Sequence, residues 1–460
     1  MMFELVLKNG QVFWEDSLIA ADLAINGEKI AAVGFGLSGK REIDVSGRWV
    51  LPGAIDAHTH FSLPFAGAVS ADDFYSGSVA GAAGGVTTFI DFTAQKGEEG
   101  VLESLNRRRA EADPLVGIDY SLHACIGRYN KTVEEQLPQL AAAGVTSLKI
   151  FMAYGKSGLM QNDASLLKVL SACRQHGILI TVHAENGVII DALTDAATEA
   201  GELGIEALPK TRPVFTEVEA IRRISDFARH TGCKVYVVHV SSGDGAHTLW
   251  GERVNGSPLA GETCPQYLYL DDSMLVSPDG HLWGCCPPIR SKPQQELLWK
   301  CLATGEIAVI ATDHCPFTRA DKNTWNNKIT SLPMGLPGIE TFPGLVLNGV
   351  HSEKITLKRA VRAISENPAR IFGLYPEKGS LIPGTDADVM VYNPDCNTPI
   401  SARTMHMRTD YSPYEGLACR GRNEMTLLRG KIVFSHTEGW KGQQGGGKFL
   451  KRKATDPDFF

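Results

Sequence analysis

The chain has 460 residues, 43% hydrophobic and 21% charged, with a formal net charge of −7 at pH 7. That composition excludes global disorder, and its acidic balance argues against a nucleic-acid partner, which would need a dominant basic face. The length favours one large domain with an accessory lobe and leaves room for a sizeable core. Ten cysteines with no Cys-x-x-Cys pair resemble neither a disulfide framework nor a zinc ribbon, so they are read as reduced thiols. The start, Met1-Met2-Phe3-Glu4-Leu5, lacks a basic segment followed by an apolar one, and no apolar run reaches 18 residues. A cytoplasmic protein with a small-molecule substrate and no membrane contact is expected.

The first fifty residues carry short apolar runs, Leu5-Val6-Leu7, Leu23-Ala24-Ile25 and Ile30-Ala31-Ala32-Val33, around the turn signals Asn9-Gly10 and Asn26-Gly27. Asn-Gly between such runs predicts β-hairpins. The far end repeats this texture at Ala387 to Tyr392 and Thr426 to Phe434. Neither set can bury a core alone, so residues 1–51 and 376–440 are expected to pair into one small β-sandwich.

Residues 52–375 read differently: apolar runs of strand length alternate with helix-length segments, the pattern of βα units around a parallel sheet. Eight runs occur, at Gly53 to His58, Thr87 to Phe92, Ile118 to Ala124, Val145 to Phe151, Ile178 to His183, Lys234 to His239, Leu259 to Thr263 and Ile307 to Thr312. The predicted fold is therefore an α/β (β/α)8 TIM barrel. The remainder, 441–460, is rich in Gly, Lys and Arg and reads as a tail or as an arm on a neighbouring subunit.

Polar residues fall at one end of those runs. His58 and His60 close the first, Lys149 lies in the fourth, His183 and His239 close the fifth and sixth, and Asp313 follows the eighth. In a TIM barrel these carboxyl ends open onto the single face where active sites are built. A His-x-His pair on one strand also directs both imidazoles to the same side. The set reads as a candidate metal centre. Lys149 fits poorly as an ammonium, because cations repel it, but a deprotonated lysine that adds carbon dioxide becomes an anionic carbamate able to bridge two metals.

Gly53-Ala54-Ile55-Asp56-Ala57-His58-Thr59-His60, Ser147 to Tyr154, His183-Ala184-Glu185-Asn186, Glu262 to Leu268 and Ala311 to Phe317, taken in this order, resemble the dihydropyrimidinases and hydantoinases of the amidohydrolase superfamily. The resemblance spans nearly the whole chain. It implies two zinc ions per subunit, one on His58, His60, Lys149 and Asp313 and the other on His183, His239 and Lys149. It further implies carboxylation of Lys149, a hydroxide between the metals, and a homotetramer. The implied activity is hydrolytic opening of a cyclic amide or ureide, a 5-substituted hydantoin or 5,6-dihydropyrimidine, to an N-carbamoyl amino acid.

By the same resemblance Asp313 is the general base and Tyr154 donates a hydrogen bond to the developing oxyanion. Cys286, where the family usually has serine before Pro-Pro-x-Arg, and Met334, in place of asparagine in Pro-Asn-Gly, occupy positions that bind the ureide edge largely through backbone groups. Phe65, Phe151 and Leu159 are candidate walls for the ring substituent. Allantoinase is a rival reading, and dihydroorotase a weaker one, because Ser62 stands where that enzyme places arginine. A non-enzymatic scaffold of the same fold would lack ligands that are present here.

Overall fold

The computed structural model describes residues 2–456 and 459. Eight parallel strands follow one another around a barrel in chain order: β1 Ala54–Thr59, β2 Val86–Phe92, β3 Asp119–Cys125, β4 Ser147–Phe151, β5 Leu179–His183, β6 Val235–Val237, β7 Leu259–Thr263 and β8 Val309–Ile310. All eight predicted runs are strands. They are buried nearly throughout because side chains fill the barrel on one face and helices cover the other. The covering helices start where the sequence supplies an N-cap: Asp73 caps Phe74–Gly84, Asn162 caps Asp163–Gln175, and Asn186 caps Gly187–Glu199. In each, a side-chain oxygen accepts a backbone N–H of the first turn, which would otherwise lack a partner.

Closure is the demanding step, since β8 has two residues and pairs through its ladder only with β7. Asp56 of β1 completes the seam. Its buried carboxylate accepts the Thr312 N–H at 3.0 Å and the Thr312 hydroxyl at 2.6 Å, and His60 N–H donates to the His314 carbonyl at 2.8 Å. Desolvation pushes the Asp56 carboxyl up to about 6, against the opposing hydrogen bonds from Thr312.

The two chain ends do pair, in a nine-stranded sheet continuous by hydrogen bonding. The junction lies where Trp49–Pro52 runs antiparallel to Val389–Pro399, with Val50 opposite Val391 and Trp49 opposite Tyr392. Leu7, Val12, Leu23, Val50, Val389 and Leu427, drawn from both ends, share one buried cluster. One predicted hairpin moves. Asn9-Gly10 lies inside the strand Phe3–Trp14 as a bulge, and the chain reverses at Glu15-Asp16 instead. Asn9 takes the left-handed φ of 62° that the Asn-Gly pair signalled, but its N–H is taken by Asp22 at 2.9 Å, and a Cβ on Gly10 would lie 2.8 Å from Val50 Cγ2. The dipeptide therefore serves a close approach within the sheet rather than a turn. Asn26-Gly27 is a hairpin turn, as expected.

The tail lies across its own barrel. Tyr120 N–H donates to Lys448 O at 3.0 Å and Leu450 N–H to Tyr120 O at 2.7 Å. Arg452 is buried, with hydrogen bonds to Ser121 Oγ, Leu122 O and Ser147 Oγ.

A buried charge cluster joins the sheet to the barrel. Lys378 Nζ lies 2.6 Å from Asp119 of β3, 2.7 Å from Asp388 and 3.0 Å from Asp386. Removing one member of a buried pair leaves the others uncompensated, so Lys378→Met is expected to lower stability by about 3–5 kcal/mol in urea unfolding. A loss below about 1 kcal/mol would show that Arg429, which also pairs Asp119, carries the joint alone.

Candidate active site

His58, His60 and Asp313 converge at the β1–β8 seam. His58 Nε2 and His60 Nε2 are 3.2 Å apart and lie 3.1 and 3.2 Å from one Asp313 oxygen. Donor atoms of all three fall within 4.8 Å of one another, a grouping that could hold a metal ion. Across the barrel mouth His183 Nδ1 faces His239 Nε2 at 3.0 Å. The two groups are adjacent, with the His58 and His239 ring centroids 5.5 Å apart.

Lys149 rises from β4, only 3% exposed, with its Nζ 5.3 Å from the ring centroids of both Phe92 and Phe151. No ion pair or hydrogen bond engages that Nζ among the described residues. Burial is the main cause pulling its pKa down to about 8, against the attraction of Asp313. A lysine so placed has an appreciable neutral fraction at ordinary pH, which is the form that reacts with carbon dioxide.

Burial would raise the Asp313 carboxyl, but His58 and His60 outweigh it and hold the group well below the usual carboxylate range. Burial would lower His58, yet Glu262 and Asp313 pull it up to about 9. His239, buried beside His183 and Lys149, is held well below the ordinary imidazole value. Its Nδ1 has no hydrogen-bond partner among the described residues. Lone pairs of four imidazoles and a carboxylate, crowded and incompletely satisfied by one another, are the donor set that divalent cations take. The residues present fit a metal centre.

Tyr154 follows β4 in the left-handed region at φ 68°, and His239 and Asp313 share that region at 41° and 53°. Non-glycine residues rarely adopt it, and such strain gathers where function sets the side-chain direction. The Tyr154 ring lies 4.9 Å from His183 and 5.8 Å from Phe151. Leu159 is half-buried after the turn that follows, with its N–H bonded to the Tyr154 carbonyl at 3.2 Å. Cys286 and Met334 pack on one apolar cluster containing Leu203, Leu275 and Leu332. Burial raises the Cys286 thiol, opposed by the Arg212 charge and by Tyr154, which places Cys286 beside the tyrosine. Phe65 stands apart, 38% exposed on the hairpin of Pro64–Phe65 and Ala68–Val69.

Two acidic residues that the sequence reading left without a role are part of the centre. Glu262, buried at the end of β7, accepts His58 Nδ1–H at 2.5 Å, the Tyr236 hydroxyl at 2.9 Å and the His239 backbone N–H at 3.2 Å. Glu185 accepts His183 Nε2–H at 2.6 Å and is ion-paired with Arg212, whose guanidinium lies 5.1 Å from the Tyr154 ring centroid. Burial would raise Glu185, but Arg212 and His183 bring it down to about 2. Each carboxylate fixes the tautomer of one histidine, leaving His58 Nε2 and His183 Nδ1 directed into the centre. Their signal was the one that exposed the histidines: an ionisable residue at or just beyond the carboxyl end of an apolar strand.

A parallel barrel whose strand ends gather four histidines, an aspartate and a neutralisable lysine defines a metal-centred barrel enzyme. The Amidohydrolase family matches residues 49–433. D-hydantoinases are similar over nearly the full length, that of Geobacillus stearothermophilus at 38% identity (97% of this chain, 96% of the relative) and that of Streptomyces coelicolor at 37% (97% of each). The crystal structure of dihydropyrimidinase from Brevibacillus agri NCHU1002 superposes with a TM-score of 0.95 at 36% identity, covering 98% of this chain and 99% of that one. The chain belongs to the amidohydrolase family, in the group of the hydantoinases and dihydropyrimidinases.

Loss of an outer carboxylate that orients a ligating histidine typically costs 10–100-fold in metal affinity or activity. Glu262→Gln is accordingly expected to weaken metal retention by about 10-fold or more in chelator competition, with the far-ultraviolet circular dichroism unchanged. Retention equal to that of the unaltered protein would remove Glu262 from this role.

Proposed function

We propose that the protein hydrolyses a 5-substituted hydantoin or a 5,6-dihydropyrimidine to the N-carbamoyl amino acid. The reaction class, hydrolytic opening of a cyclic amide, is that of its hydantoinase and dihydropyrimidinase relatives. The observation that carries the reading is the convergence of His58, His60, Lys149, His183, His239 and Asp313 at one barrel mouth, with Tyr154 beside them.

Two zinc ions per subunit would be held there, one by His58, His60 and Asp313 and one by His183 and His239, with carboxylated Lys149 shared between them. Such ions lower the pKa of water from 15.7 towards about 7 and polarise the ring carbonyl, which makes an unactivated amide open to attack near neutral pH. Asp313 is ionised and accepts the proton that the attacking water gives up, then returns it to the leaving ring nitrogen. Tyr154 donates its hydroxyl to the carbonyl oxygen as negative charge develops there, a contact worth about 10²–10³-fold in turnover for donors of this kind. Burial keeps that hydroxyl protonated, well above the ordinary tyrosine range, so the proton is available. The segments carrying Cys286 and Met334 receive the ureide edge, while Phe151 and Leu159 face the substituent and Phe65, exposed on its hairpin, is left out of that wall.

Ser62 disfavours a dihydroorotase, since a neutral hydroxyl cannot pair with a substrate carboxylate as arginine would. A cytoplasmic setting is supported by ten free cysteines, and no helix among the described residues is long and apolar enough to cross a membrane. For assembly we propose a homotetramer. Light scattering is expected to give four times 49.8 kDa, and the mass of one chain would reject it.

The reading is tested by a hydrolysis panel of hydantoin, 5-substituted hydantoins, dihydrouracil, allantoin and dihydroorotate, with chiral analysis of products. Hydantoins or dihydrouracil should be opened fastest, and Asp313→Asn should lower that rate by about 10²-fold or more. Turnover confined to allantoin or dihydroorotate would overturn the assignment, and a near-normal Asp313→Asn rate would remove the proposed base.

A further inference from the structure

Cys286 and Met334 lie on separate segments, and one buried lysine touches the point where those segments meet. Lys322 ends the short helix Arg319–Lys322 and is 0% exposed. Lysines are almost never so buried without a carboxylate partner, because a desolvated ammonium is costly. Among the described residues no ion pair engages Lys322. Its Nζ donates instead to the Gly284 carbonyl at 2.8 Å. The same carbonyl accepts the Gly335 N–H at 3.0 Å.

Gly284 precedes Cys286 by two residues, and Gly335 directly follows Met334. Neither segment has slack at this junction. A Cβ on Gly284 would lie 2.5 Å from Leu332 Cδ2, and one on Gly335, at φ 151°, would lie 2.3 Å from the Cys315 carbonyl oxygen. Burial pulls the ammonium down to about 8, opposed by the neighbouring Cys285, Cys315 and Cys286 thiols. An apolar side chain of similar length would avoid the desolvation cost and still fill the space. What it could not do is supply the second donor to the Gly284 carbonyl, so that the Gly335 N–H alone would be left to keep the two segments in register.

We propose that Lys322 is a positioning residue for substrate recognition, clamping the Cys286 segment to the Met334 segment through the shared Gly284 carbonyl. The inference rests on the ureide reading above, in which those segments receive the ring edge. A ureide presents N–H and C=O groups at fixed spacing, so a shift between the two segments unpairs buried polar groups and weakens binding. Among the described residues no hydrogen bond or ion pair joins Lys322 to Asp313, Tyr154, His58, His60, His183 or His239, and the chemical step is left intact.

The test is steady-state kinetics of the metal-loaded full chain and of Lys322→Met on hydantoin and dihydrouracil, with metal content measured on both. The substitution should raise KM about tenfold or more while kcat stays within about threefold and metal per subunit is unchanged. A folded Lys322→Met with the KM of the unaltered enzyme, or one that loses kcat at constant KM, overturns the proposal. Lys322→Gln keeps a shorter N–H donor and should give an intermediate KM. If the methionine variant does not fold, an unaltered KM in the glutamine variant overturns the proposal in its place. Failure of the unaltered enzyme to open either ring would overturn the ureide reading itself, and this inference with it.

Discussion

Everything at the barrel mouth depends on how the first and eighth strands meet. The last strand contributes two ladder residues, too few to hold a parallel seam by backbone pairing alone, and the carboxylate of Asp56 bridges the gap to Thr312. That bridge lies two residues before His58 and one before Asp313. The contact that closes the barrel therefore also sets the spacing between the imidazole and the carboxylate. A buried acid raised to about 6 is an uncomfortable group for a core. It persists because its hydrogen bonds reach backbone and side chain on the opposite strand at once.

Above the seam, the same low-dielectric interior shapes each group in the direction that the chemistry needs. Carboxylates beside histidines stay ionised, a lysine among aromatic rings drifts towards neutrality, and a buried tyrosine keeps its proton. Glu262 and Glu185 stand behind two of the histidines and set their tautomers. Left-handed backbone at Tyr154, His239 and Asp313 costs on the order of 1–3 kcal/mol each, and the surrounding strands and helices must offset it. The centre is thus pre-organised by the scaffold rather than assembled by flexible loops.

Much of this was legible in the residues. Barrel strands announce themselves because burial on both faces makes them continuous apolar runs, and all eight fell where such runs fell. The histidines were visible as polar residues ending those runs. Glu262 carries the same signal, but a glutamate beside a threonine at a strand end is equally a structural acid, and only its contact with His58 assigns it to the centre. Asn9-Gly10 misled because a bulge and a hairpin turn ask for the same left-handed backbone, and the neighbouring strand decides between them. The role of Lys322 has no sequence signature. Its partner is a main-chain carbonyl 38 residues away, and no periodicity encodes such a contact.

In the proposed function six residues from distant strand ends form one centre that would hold two metal ions about a modified lysine. Diffraction from crystals of the metal-loaded protein, recorded at the zinc absorption edge, tests it most directly. Two anomalous peaks per subunit are expected about 3.5–4 Å apart, one among His58, His60 and Asp313 and the other between His183 and His239, with added density continuous from Lys149 Nζ to both. A single peak, or two peaks flanking an unmodified Lys149, would contradict it.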